Sequence, residues 1–183
     1  LVVAAPGSGK TTVIVNRVYY LMRHKNVSAD NIIVITFTRA AAENMKERFK
    51  KLWGNGRLPF FGTFHGLFYK ILRRHLGNIS IINPSLAFTI INNTLLNYID
   101  EVGEDKVKEV ISNISLMKCK GIALEDFTPT IDKAAFINCY KSYEEYKFKK
   151  GLWDFDDIQI EAQKLFMSNH QLLEQYRQLF KHI

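Results

Sequence analysis

The chain has 183 residues, 47% hydrophobic and 23% charged, with a formal net charge of +7. That length suits one domain with a subdomain, and the apolar fraction excludes a mainly disordered chain. No apolar run approaches the roughly 20 residues that span a bilayer, so no membrane partner is expected. The apolar start, LVVAA, also lacks the basic flank of a signal peptide.

The start has no Met and reads as the middle of a strand, which points to a piece of a longer protein. Cys119 and Cys139 have no CxxC spacing and no nearby His in a ligand pattern. They read as idle thiols of a reducing compartment, and the expected location is cytoplasmic. Charge is uneven: residues 1–80 hold 13 Lys/Arg against 3 Asp/Glu, a net of +10. Residues 81–183 hold 12 against 15, a net of −3. A basic half suggests a polyanion partner.

In chain order, residues 1–5 read as a buried strand bounded by Pro6 and Gly7. Thr11 to His24 reads as a helix, with Val15, Val18 and Met22 at helical spacing and Ile14 and Leu21 beside them. IIVITF, residues 32–37, is a β-branched run that suits a strand covered on both faces. Ala40 to Leu52 is helical, with Ala41, Met45, Phe49 and Leu52 on one face, and it ends at Gly54–Gly56. Phe61 to Phe64 reads as strand, followed by a stripe of Phe64, Leu67, Phe68, Ile71 and Leu72. Strand and helix alternating over short links predict an α/β domain with a parallel sheet.

Beyond Gly77 strand signals are few. Ser85–Val102, Glu104–Lys118 and Ala134–Lys150 read as helices of a mainly helical insertion. Phe155–Phe166 and His170–Lys181 read as helices that return to the first domain. The expected division is 1–78, the first part of the α/β domain; 79–150, the insertion; and 151–183, the return.

APGSGKTT, Ala5 to Thr12, matches the phosphate-loop pattern except that Ala4 stands at its first Gly position. Gly7 and Gly9 let the backbone curl around a phosphate, and the helix N-terminus then faces the anion. The expected nucleotide-binding residues are Pro6, Gly7, Ser8, Gly9, Lys10, Thr11 and Thr12. Lys10 and Thr11 are the catalytic candidates: Lys10 reaches the β- and γ-phosphates, and the Thr11 hydroxyl ligates Mg²⁺.

Three more segments narrow the field: ITFTRAAAENMKERF (35–49), GTFHGLFYKILR (62–73) and YEEYKFKKGLWDFDDIQ (143–159). With APGSGKTT they resemble, in order, the N-terminal part of superfamily 1 DNA helicases of the UvrD/Rep/PcrA type. The resemblance implies a RecA-like phosphate-loop fold with an inserted helical subdomain, and ATP with Mg²⁺ as cofactors. It also implies movement 3′ to 5′ on single-stranded DNA, or on DNA with a 3′ single-stranded tail. Phe37, Thr38, Arg39, Thr63, Phe64 and His65 are then the expected DNA contacts. Flat rings under bases and cations on phosphates suit a strand bound without regard to sequence. Arg39 and Ala40 stand where the family often has Asn and Lys, and Gly66 where it often has Ser.

From the residues alone, Phe37 could cap the core and Phe64 could pack on its stripe, while Arg39 and His65 could simply meet solvent. The carboxylates of DFDD, Asp154 to Asp157, could form a metal or acid/base site; Asp154 as a helix cap is the reading preferred here.

The resemblance also implies that the Mg²⁺-holding Asp-Glu pair, the adenine-contacting glutamine motif and the second motor domain with its arginine fingers lie outside residues 1–183. These 183 residues alone are therefore expected neither to hydrolyse ATP nor to unwind DNA at useful rates. The sheet is expected to lack a strand after Ile183 and to leave apolar surface exposed. Three alternatives stay open: the helicase part of a helicase–nuclease, a different phosphate-loop NTPase or kinase, and a non-catalytic nucleotide-gated DNA-binding module.

Overall fold

Apolar residues at helical spacing turn one face of helix α1 (Lys10–His24) inward, burying Val15, Val18, Leu21 and Met22. The computed structural model describes Ala5 and residues 7–183. The strand expected at 1–5 therefore lies, apart from Ala5, outside the described residues, and so does Pro6. A short 3₁₀ turn, Ala29–Asn31, leads into strand β1 (Ile33–Ile35). Helix α2 (Arg39–Trp53) and strand β2 (Phe60–Gly62) follow.

β1 and β2 are parallel, with Ile33 opposite Phe60 and Ile35 opposite Gly62. A parallel pair needs a crossover, which α2 provides. The other edge of β1 is also engaged. Ile33 N–H donates to the His182 carbonyl at 2.9 Å, and His182 N–H donates to the Asn31 carbonyl at 3.1 Å. Ile32 and His182 thus form a parallel bridge.

The face of α2 differs by one position from expectation. It buries Ala42, Met45 and Phe49, while Ala41 and Leu52 are exposed. Phe49 stacks on Trp53 one turn further on, at 6.0 Å between centroids, and this turns the inward stripe toward position 53. Phe49 is fully buried and also meets Phe61 at 5.6 Å, which makes it the centre of this core.

Helix α3 (Phe64–Leu76) leads to the two-residue strand β3 (Ser80–Ile81) and then to α4 (Pro84–Leu95). α4 stops short of the expected Val102. Asn97 and Tyr98 N–H groups bond three residues back, to the Thr94 and Leu95 carbonyls, and tighten the last turn. Helices α5 (Glu104–Lys120) and α6 (Lys133–Lys150) come next, each ended by a glycine in the left-handed region, Gly121 and Gly151. Strand β4 (Leu152–Trp153), α7 (Phe155–Ser168) and α8 (His170–Leu179) complete the order. β3 and β4 pair in parallel, Ser80 with Leu152 and Ile81 with Trp153; two residues each give no readable strand pattern.

The chain divides into two compact units, 1–70 with 164–183, and 71–163. The first holds the core around Phe49. The second holds a core of Ile91, Val107, Val110, Phe136 and Cys139 on α4, α5 and α6, all fully buried. The fold is mixed α/β with small parallel sheets. Among the described residues, no helix is long and apolar enough to cross a membrane.

Candidate nucleotide and nucleic-acid sites

In the first unit, Gly7 and Gly9 take φ of +79° and +81°. That region favours glycine, and it bends the chain into the N-terminus of α1. A Cβ on either glycine would meet no atom within 4 Å, so backbone conformation rather than crowding selects glycine there. Gly9 caps α1 without any side-chain bond. The first intrahelical bond runs from Val13 N–H to the Gly9 carbonyl at 3.0 Å. The amides of Thr11 and Thr12 precede it and have no acceptor within the helix.

Three donors meet the Ala5 carbonyl: Lys10 Nζ at 2.6 Å, Ser8 Oγ at 2.6 Å and Ser8 N–H at 3.2 Å. Lys10 is exposed, so this bond exchanges readily for another acceptor. An open helix N-terminus, two left-handed glycines, a lysine and the half-buried Thr11 hydroxyl form a donor set that fits a nucleotide phosphate with a divalent cation. A cavity of about 420 Å³ has Ser8 and Lys10 among its walls and runs along β1, past Ile33 and Ile35.

The register of β1 and β2 brings the two expected strand-contacting segments to one sheet edge. Ile35 faces Gly62, and Thr36 N–H donates to the Gly62 carbonyl at 2.9 Å. Phe37–Arg39 and Thr63–His65 therefore leave neighbouring strands at their carboxyl ends, where open parallel sheets offer binding crevices. Phe37 is 99% exposed, which removes the core-cap reading. Phe64 is 56% exposed and stacks on Phe68 at 6.0 Å, so it is both packed and presented. Arg39 is exposed and has no carboxylate partner among the described residues. His65 is half-buried.

The two threonines begin helices. Thr38 Oγ1 accepts from Ala41 N–H at 3.2 Å and caps α2, and Thr63 Oγ1 accepts from Gly66 N–H at 3.1 Å at the start of α3. Their hydroxyls set the helix starts that carry Arg39, Phe64 and His65.

In the second unit, DFDD begins α7 with a reciprocal cap. Asp157 N–H donates to Asp154 Oδ1, and Asp154 N–H donates to Asp157 Oδ2, each at 2.8 Å. The expected capping by Asp154 is what the geometry shows. Two lysines absent from the sequence reading complete the group. Lys147 Nζ lies 2.6 Å from Asp154, 2.7 Å from Asp157 and 2.9 Å from Glu144. Lys118 Nζ lies 2.8, 2.5 and 3.2 Å from the same three.

The carboxylates of Glu144, Asp154 and Asp157 converge as ligands of a cation would, but two ammonium groups already fill the space between them. Burial alone would raise Asp154; the two ammoniums outweigh it and hold the carboxyl well below the usual range. Burial alone would lower Lys118; Asp154 and Asp157 outweigh it and keep the ammonium charged. Asp154 and Lys118 are thus held charged against each other, which suits a structural ion cluster. Burial also pushes the Cys139 thiol up to about 11, and burial with Asp156 raises Cys119, so neither cysteine is an activated nucleophile.

Residues 1–183 match the family model described as the UvrD/REP helicase N-terminal domain. Over the whole chain, the sequence is 32% identical to a probable DNA helicase II homolog of Mycoplasma capricolum. It is 32% identical to the ATP-dependent DNA helicase PcrA of Staphylococcus aureus and 31% identical to that of Bacillus subtilis. The chain spans about a quarter of the length of these relatives, 26–27%.

Proposed function

Because the chain belongs to the UvrD/REP helicase N-terminal domain family, we propose that it is the ATP-binding part of an ATP-dependent DNA helicase. In this reading residues 1–78 and 151–183 belong to a RecA-like motor domain, and 79–150 are its helical insertion. The intact protein moves 3′ to 5′ along single-stranded DNA in the cytoplasm, using further domains of the same polypeptide. The observation that carries the DNA reading is the shared sheet edge: a wholly exposed Phe37 beside Phe64, with an exposed Arg39 that has no carboxylate partner among the described residues. Rings and a cation there suit bases and phosphates.

Bound ATP with Mg²⁺ supplies the phosphoryl group that is transferred to water. The chain's own residues bind and orient it. Amides at the start of α1 hold phosphate oxygens. Lys10 would exchange the Ala5 carbonyl for the β- and γ-phosphates, and the Thr11 hydroxyl would serve as a ligand of Mg²⁺. Gly7, Ser8, Gly9 and Thr12 form the rest of the cradle. Phe37 and Phe64 stack on bases, Arg39 and His65 meet the backbone of the strand, and Thr38 and Thr63 fix the turns that present them.

Lys10→Ala in the intact protein is expected to abolish DNA-stimulated ATP hydrolysis, and unchanged turnover would sink the assignment. Strand displacement from partial duplexes with 3′ or 5′ tails tests polarity, and preference for the 5′ tail reverses it. Phosphoryl transfer to a small acceptor without DNA stimulation would instead favour a kinase.

A further inference from the structure

We propose that the second unit carries its own contact for single-stranded nucleic acid, at the C-terminal ends of α3 and α6. That the bound strand is DNA rests on the proposed function; the chemistry of the surface is independent of it. The β3–β4 ribbon is parallel, with Ser80 opposite Leu152, so both strands start at the same edge. α3 ends at Leu76, shortly before Ser80, and α6 ends at Lys150, shortly before Leu152. An extended chain covers at most about 3.5 Å per residue, so Leu76 lies within about 14 Å of Ser80 and Lys150 within about 7 Å of Leu152. Paired strands lie about 4.8 Å apart. The two helix ends are therefore within about 26 Å of each other, the reach of a few nucleotides.

Those ends are basic and aromatic. Arg73, Arg74 and Lys150 are exposed and have no carboxylate partner among the described residues. Their neighbours are otherwise engaged: Lys149 pairs with Glu145 at 2.6 Å, and Lys147 is buried in the ion cluster. Between them on α6 stands Phe148, 89% exposed. Cations at a helix C-terminus complement its dipole, which by itself accounts for the lysine and arginines. It does not account for a phenylalanine held in water on the last turn of the same helix. A single strand uses both: phosphates meet the three cations, and an unpaired base covers the ring. A duplex hides its base faces, and an acidic peptide has no flat face for the ring.

The test measures binding of a fluorescent oligothymidylate to the full-length protein as a function of salt. Replacing Arg73, Arg74 and Lys150 together by Gln should reduce the slope of log affinity against log salt by about 2, at about 0.7 per phosphate contact. Phe148→Ala should weaken binding about 5- to 150-fold, and Phe148→Tyr should retain it. All four side chains are exposed, so an unchanged melting temperature separates binding from folding. If Phe37→Ala and Arg39→Gln weaken binding while these variants keep wild-type slope and affinity, the second contact is refuted. If neither set changes binding, the proposed function fails first. Loss of duplex binding alone would overturn the single-strand assignment.

Discussion

Replacing Lys147 by Met removes one of two ammoniums from a cluster with three carboxylates. Lys147 is 2% exposed, and Met keeps most of its stem volume, so the perturbation is chiefly electrostatic. Asp154, Asp157 and Glu144 then share Lys118 alone, and the net charge of the group falls from −1 to −2. Removing one partner of a buried ion pair costs about 3–5 kcal/mol, because the remaining charge stays buried without compensation. That is a large share of the roughly 5–15 kcal/mol that holds a domain folded.

Urea unfolding followed by the fluorescence of Trp153, the residue before Asp154, reads this unit; a Trp53→Phe background silences the other tryptophan. Adding Asp154→Asn should recover more than half of the loss, since Asn still caps α7 but carries no charge. The sign with pH follows from the shifts. Asp154 is held below its unfolded value, so its contribution is present above about pH 4 and lost as pH falls through its folded value. Lys118 is raised, so its contribution holds below about pH 10 and is lost as pH rises through its folded value. In the Met variant Asp154 loses one of the two ammoniums that offset its burial and takes up a proton sooner, so the deficit shrinks from pH 7 to pH 5. A loss under about 1 kcal/mol, or one that neither acid nor Asp154→Asn relieves, would refute a cluster held by charge.

Phe37→Ala should lower single-strand affinity by about 1–3 kcal/mol without moving the melting temperature, because the residue is 99% exposed; a lower melting temperature with unchanged affinity contradicts the stacking role. Thr38→Ala removes the cap on Ala41 N–H and should cost about 1 kcal/mol in urea unfolding, and no measurable loss would assign the hydroxyl elsewhere. Gly9→Ala should cost about 1–2 kcal/mol from its positive φ alone, since a Cβ there meets nothing. It should also weaken nucleotide binding, measured by calorimetry, and wild-type affinity would mean the loop tolerates another conformation.

Periodicity made the helices legible. Val15, Val18 and Met22 predict the inward face of α1, and Met45 and Phe49 predict that of α2. The buried face is offset by one position from Ala41 to Ala42 because Phe49 stacks on Trp53, one residue beyond Leu52. β3 and β4 escaped because a two-residue strand has no alternation to read; its pairing partner lies some seventy positions away in sequence. At the sheet edge, the rings of Phe37 and Phe64 were identifiable by type, but only the β1–β2 register puts them at one edge. Thr38 and Thr63, expected as DNA contacts, each stand just before a helix. The preference for Thr at that position already named their hydrogen bonds.

The ion cluster shows what a sequence can and cannot give up. The local half was readable: Asp154 and Asp157 sit three apart at a helix start, and they cap each other. The long-range half had a signal too. On α6 the buried stripe runs Phe136, Cys139, Tyr143 and then Lys147, and on α5 Val107, Val110 and Ile114 are followed by Lys118, whose side chain is 7% exposed. A lysine on an apolar stripe cannot stay charged in the core without a counter-charge. Two such lysines require buried carboxylates, and DFDD is the densest acidic run in the chain. Matching cation stripe to acidic cap in this way recovers a tertiary contact across 36 to 39 residues, because the cost of burying charge leaves few partners to choose from.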